Sequence, residues 1–227
     1  MTNFSLALEL IPLALLETIY MVGASLFFSL LLGLPTGLAL FWTSSRGKTK
    51  RTLFIYKILS LIVNTGRSFP FAIFMIALIP LTKWIVGTSL GTTATIVPLS
   101  LAAAPFFARL VESALKELDP ALTEAVSLMG ASSSTLIFKV LLPEAMPSLI
   151  RGLTLTAINL IGCSAMAGLI GGGGLGQIAL QYGYQRFNTF ILGASVLFLL
   201  LLVELIQRAG NKAAGHLLKK RGQQNHA

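Results

Sequence analysis

Apolar residues in this chain gather into five long stretches, and the polar residues fall between them in blocks. From Thr18 to Ser45 no residue is charged, which is helix enough to cross a hydrocarbon core of about 30 Å with some tilt. Ile58 to Ile79 predicts a second span, interrupted by Asn64, Arg67 and Pro70, with Lys83 and Trp84 at the outer interface beyond it. Ile85 to Ala108 predicts a third, small and polar at its start and kinked at Pro98 and Pro105. Leu153 to Ile170 and Phe187 to Leu205 predict the fourth and fifth. Gly33 and Gly37 form a G-x-x-x-G in the first span, a spacing that lets two helices approach closely.

The block from 109 to 151 is the longest polar interruption, and its pattern is helical at a different scale. Asp119 suits an N-cap and Pro120 a first helical position, where its missing N–H costs nothing. Leu122, Ala125, Val126 and Met129 then recur at i, i+3, i+4, i+7, one apolar stripe. Gly130 supplies a left-handed C′ residue, the serines at 132 to 134 offer caps for a second short helix, and Pro143 is expected to close it. The segment reads as a helix–turn–helix with a narrow apolar ridge, a shape that a groove in another protein can grip.

Composition places these elements in a membrane. With 55% hydrophobic and 11% charged residues among 227, too little polar surface exists to cover a soluble globule. Arg46, Lys48, Lys50, Arg51 and Lys57 form a loop without an acid, which the positive-inside rule puts in the cytoplasm, so the N-terminus faces out and the C-terminus in. That topology puts fourteen of the seventeen Lys and Arg inside, leaving Arg67, Lys83 and Arg186. Basic loops against anionic inner-leaflet lipid account for the +9 net charge, so no nucleic acid is needed to explain it. The start lacks a basic n-region, and Glu9 and Glu17 flank its first apolar stretch, so a cleaved signal peptide is not expected. Glu204 and Arg208 stand i, i+4 at the inner boundary in the favourable order.

Candidate chemistry is sparse. Cys163 is the single cysteine, in an apolar run, and reads as a buried thiol. His216 and His226, in the tail, have no acidic or cysteine companions, so no metal site is expected. Gly171, Gly173 and Gly176 satisfy G-x-G-x-x-G but follow a span, with no βαβ unit and no acid about 20 residues on; a flexible or tightly packed outer turn is the better reading. Gly47-Lys48-Thr49 is not the end of a phosphate loop, because the first glycine of that motif falls on Trp42. No catalytic pairing lies within the spans, so no catalytic residue is assigned. Arg67 faces either a watery path or protein, or else bonds helix-end carbonyls for stability alone. Asn159, Cys163 and Met166 stand at i, i+4, i+7, a stripe of modest polarity that either lines a path or packs helices.

Glu124-Ala125, then Gly130, then Val140-x-Leu142-Pro143 resembles the EAA signature of ABC-importer permeases, with Val126 and Val140 as mild departures. RSFPF at 67 to 71, IPLTKWIVGTSLG at 79 to 91, SAMAGLIGGGGLGQ at 164 to 177 and QYGYQRF at 181 to 187 look like the methionine-uptake branch of that family. The resemblance implies an all-α polytopic membrane protein of the type I importer fold: five transmembrane helices, N-out and C-in, with a coupling-helix loop between helices three and four. It implies one membrane domain over 1–227, with the type-1 transmembrane region at 15–207, the cytoplasmic coupling loop at 109–151 and a basic inner tail at 208–227. Glu124, Ala125, Gly130, Leu142 and Pro143 are then the ATPase-coupling residues, and Arg67, Asn159, Cys163 and Met166 the candidate path. The implied partners are two ATPase subunits carrying ATP and Mg, a second copy of this chain, an extracytoplasmic substrate-binding protein, methionine and membrane lipid, in a bacterial inner membrane. Other amino acids or short peptides are the alternative cargo. A channel or secondary transporter is the rival class, and it calls for internal repeats or a midplane acid that the sequence does not show; a membrane enzyme is third.

Overall fold

A chain crossing lipid must satisfy its peptide groups internally, and helices do so within one segment. The computed structural model describes residues 3–45, 49–220 and 222, which contain helix and turn with no strand. Four helical runs, Leu6–Ser44, Thr92–Lys116, Ser133–Ile170 and Thr189–Lys219, are long and apolar enough to span a bilayer, and a bent pair, Lys50–Ser68 with Phe71–Ala77, makes a fifth. Arg46 and Lys48 of the predicted inner loop, with Arg221 and His226 of the tail, lie outside the described residues.

α1 (Asn3–Ser45) begins well before Thr18. Ala7, Ile11 and Ala14 carry a buried stripe upstream of the expected start, packing with Leu175 and Ile191. Its other half lies along α5 (Thr92–Lys116), where the expected close approach is present. A Cβ at Gly33 would stand 2.8 Å from the Ala104 carbonyl oxygen, and one at Gly37 2.6 Å from Val111 Cβ. The neighbours are a helix backbone and a β-branched side chain, neither able to yield. Gly37→Leu is therefore expected to destabilise the bundle by about 1–3 kcal/mol, read as a lower thermal midpoint of the detergent-solubilised protein; an unchanged midpoint would show that α1 and α5 separate freely.

The second span, expected over 58 to 79 with interruptions at Asn64, Arg67 and Pro70, begins earlier, at Lys50, and breaks at the proline alone. α2 (Lys50–Ser68) stops at Phe69, which precedes Pro70 and is extended (φ −73°, ψ 129°), and α3 (Phe71–Ala77) leaves at 105°. α4 (Ile79–Val86) follows and ends on left-handed Gly87 (φ 85°). Lys83, Trp84 and Ile85 belong to this outer helix, with Trp84 83% exposed, so the third span starts at Thr92 and not at Ile85. α5 runs unbroken through Pro98 and Pro105 to Lys116.

After α6 (Pro120–Leu128), helix resumes as α7 (Ser133–Thr135), widens into a π-helical turn over Leu136–Leu141 and continues as α8 (Leu142–Ala167). Pro143 therefore closes no helix; it sits in the first turn of α8. The i→i+5 bonding of the preceding turn widens the ladder where the proline ring would press on a carbonyl, so the chain continues helical. α9 (Gly174–Ile178), a second π turn over Ala179–Tyr184 and α10 (Thr189–Lys220) complete the fold, α10 running past Leu205 into the basic tail. Buried residues form an inner layer around Phe41, Val111, Leu115, Leu136 and Leu141, a middle layer around Met21, Leu99, Leu160 and Ile161, and the outer layer under Leu175.

Candidate functional site

Where α2 breaks, its last turns part from α5 and α8 and leave a cavity of about 510 Å³. Arg67, Asn64 and Ser68 of α2, Phe106 of α5, and Asn159 and Cys163 of α8 face it. Arg67 lies roughly 25 Å along α2 from Lys50, counting about 1.5 Å per residue, which sets the cavity beside the middle of α5 and α8. Its guanidinium lies 5.7 Å from the Phe106 ring centroid, within cation–π range. Three of the four path residues read from sequence thus share one chamber. Met166, farther along α8 and 42% exposed, is not among its lining residues.

Sequence reasoning missed the polar framework behind this chamber. Glu112, on α5 with its side chain 2% exposed, accepts from Arg109 and from Lys116 (2.7 Å), and the Tyr56 hydroxyl of α2 reaches it at 3.3 Å. Arg109 spans the gap to α2, donating to Ser60 Oγ (2.8 Å) and Asn64 Oδ1 (2.6 Å). The i, i+3 and i, i+4 spacings around Glu112 were visible in the sequence, but nothing there indicated that α2 would cover them.

At the end of the bundle that carries Lys116, Lys139 and Arg151, Asp119 Oδ1 accepts from Ala121 N–H (2.9 Å), the cap expected for α6. Gly130 has φ 75°, the left-handed C′ conformation. Ser132 Oγ caps the next segment by accepting from Thr135 N–H. The predicted stripe divides: Leu122 is half-buried and Val126 packs onto the core, whereas Ala125 is exposed and Met129 stands 77% exposed, with Leu128, outside the stripe, beside it at 88%. Glu124 and Ala125 are exposed beside them, while Leu142 is half-buried and Pro143 exposed at the start of α8, so these four and Gly130, the residues expected to meet an ATPase, bracket one elbow at the basic end of the bundle.

The glycine-rich outer turn is tightly packed. Gly171 and Gly173 are left-handed (φ 80° and 85°), and a Cβ at Gly176 would stand 2.5 Å from Ala165 Cα. Glu17, half-buried on α1, accepts from Gly174 N–H (2.7 Å), Thr18 Oγ1 from Leu175 N–H (2.9 Å), and Gln177 Oε1 from Gly173 N–H (2.7 Å). Among the described residues no group of three or more His, Cys, Asp or Glu could hold a metal.

A polar chamber between α2, α5 and α8, with a hydrogen-bonded glycine turn towards one end of the bundle and an exposed helical elbow at the other, fits a multi-pass membrane permease. The chain belongs to the family of binding-protein-dependent transport system inner membrane components, which it matches over residues 29–214. It is 45% identical over 208 residues to a probable D-methionine transport system permease protein of Vibrio cholerae, covering 92% of each chain. It is 46% identical over 172 residues to a methionine import system permease protein of Bacillus subtilis, covering 76% of this chain and 78% of the relative. Its fold superposes with a TM-score of 0.88 on an inward-facing structure of the MetNI methionine ABC transporter, at 44% identity over 92% of this chain and 97% of that one. A TM-score of 0.68 at 17% identity relates the fold to an amino acid ABC transporter crystallised with histidines, covering 91% of this chain and 92% of that one.

Proposed function

We propose that this chain is the permease subunit of an ATP-driven methionine importer of the bacterial inner membrane. The observation that carries this reading is 45% identity sustained over 92% of a methionine permease relative, with the chamber at α2, α5 and α8 inside the matched region. Two copies form the path, since one elbow per chain engages one ATPase and a two-fold pair matches a paired motor. The N-terminus faces out: the inner core layer joins the ends of α1, α5 and α8, and the basic residues Lys50, Arg51, Lys116, Lys139 and Arg151 collect at that end. ATP with Mg binds the separate ATPase subunits, an extracytoplasmic binding protein delivers the amino acid, and closure of the motors rocks the bundles through the elbows at Glu124, Ala125, Gly130, Leu142 and Pro143. Arg67, Asn159 and Cys163 line the route, with Met166 on the same face of α8 nearer its outer end.

Proteoliposomes holding this chain, its ATPase and its binding protein are expected to import radiolabelled methionine only with internal ATP. Uptake without ATP favours a channel or secondary transporter, and uptake of another amino acid or a short peptide with no methionine flux overturns the cargo.

A further inference from the structure

Resting on that reading, we propose that Arg67 and Asn64 form a carboxylate-binding subsite within the membrane, so that the permease itself grips the α-carboxylate of its cargo. Among the described residues no Asp or Glu lines the chamber, and Arg67 has no hydrogen-bond or ion-pair partner there, only the Phe106 ring. A guanidinium at mid-span is costly unless something pairs with it. Asn64 is directional. Its Oδ1 accepts from Arg109 at 2.6 Å, which fixes the amide, and its amide nitrogen, a donor only, has no hydrogen-bond partner among the described residues. Ser68 Oγ donates to the Asn64 carbonyl at 2.9 Å, which holds the last turn of α2 closed beneath Arg67. Arg109 in turn is fixed by the buried Glu112 carboxylate and by Ser60. Glu112 and Arg109 are thus positioning residues, and Arg67 with Asn64 present donors to an anion that has no acid to compete with it. Phe69, Phe71, Phe106 and Ala102 form the remaining wall, apolar and wide enough for a thioether side chain. A cationic ligand finds no counter-ion there, which makes an apolar amino acid, held by its carboxylate, the class that fits.

The sole cysteine of the chain lines this chamber and serves as a native reporter. In the assembled transporter in nanodiscs, transfer of the thiomethyl group of methyl methanethiosulfonate to Cys163, which forms a mixed disulfide and releases methanesulfinate, is followed by mass spectrometry of its peptide under non-reducing conditions. Methionine, and 4-(methylthio)butanoate, which keeps the carboxylate and lacks the amine, are expected to slow modification; methioninamide, which lacks the carboxylate, is expected not to. Arg67→Gln should raise the half-protective concentration at least about tenfold, as loss of a charge-assisted hydrogen bond does, with Arg67→Lys in between. Asn64→Asp is the sharper variant. It keeps an acceptor for Arg109, so a structural role survives, but it replaces the donor by a negative charge and should abolish protection. Equal protection by methioninamide, no protection by either carboxylate, or wild-type protection in Asn64→Asp overturns the subsite. Uptake run in parallel separates the two ideas: methionine import without carboxylate-dependent protection refutes the subsite and leaves the importer standing, whereas protection without methionine import supports the subsite and refutes the cargo.

Discussion

Glu112→Ala is expected to lower the stability of the bundle by about 1.5–3 kcal/mol, the loss of charge-assisted hydrogen bonds to a buried carboxylate. Its carboxylate is 2% exposed and stands between two cations on its own helix, Arg109 and Lys116, while Tyr56 approaches from α2. Removing it takes the carboxylate from Arg109, whose side chain is 20% exposed and stays held by Ser60 and Asn64, and from Lys116, which at 44% exposed turns to water, and it leaves the Tyr56 hydroxyl without its acceptor. Glu204→Ala is the control. Glu204 pairs with Arg208 at 2.6 Å in the same helical sense, but the two side chains are 55% and 73% exposed. An exposed pair of this kind contributes about 0–1 kcal/mol. Thermal unfolding of the detergent-solubilised protein should therefore show a large drop for Glu112→Ala and little for Glu204→Ala. Equal midpoints for the two variants would mean that water reaches Glu112 and that α2 does not cover it.

The contrast between these two acids shows what the sequence can and cannot tell. Both sit in legible i, i+4 pairs, and nothing local separates them; what separates them is α2 laid over one and not the other. Features set by a few adjacent residues were readable: the Asp119 cap, the left-handed Gly130, and the Gly33 and Gly37 approach that brings α1 onto α5. Features that depend on a distant partner were not. Glu17 reads as a charge flanking the first span, yet its acceptor role is to a backbone N–H 157 residues away, and that contact keeps the outer part of α1 in the bundle. Pro143 reads as a terminator because proline normally ends a helix, and the π turn that accommodates it leaves no mark in composition. Of the candidate path, Arg67 drew attention as a charge inside a span, but Asn64 and Arg109 lie 45 residues apart, and only the fold makes them neighbours.

Transport is expected to fail in Gly130→Leu and in Glu124→Arg while the spans stay folded. At Gly130 the backbone has φ 75°, and an added Cβ meets nothing within 4 Å, so the cost comes from conformation and not from collision. A leucine there loses about 1–2 kcal/mol in the left-handed state, and the chain relieves it by changing the bend after α6, where Leu128, Met129 and Gly130 are exposed although Val126 stays anchored on the core. Leu128 and Met129, the exposed apolar residues just before the bend, then point away from where the ATPase groove would receive them. Glu124→Arg leaves the backbone alone and reverses the charge on that same face, which by like-charge repulsion changes the match to a partner without disturbing the bundle. Both variants should insert at wild-type levels, with methionine uptake reduced about tenfold or more, the change that 1.4 kcal/mol of lost coupling produces. Gly130→Asn provides the discriminating arm, because asparagine tolerates the left-handed region far better than leucine does. Near-normal uptake in Gly130→Asn beside the loss in Gly130→Leu would tie coupling to the angle of the elbow. Wild-type uptake in both Gly130→Leu and Glu124→Arg, with the ATPase still co-purifying, would place the coupling contact elsewhere on the chain.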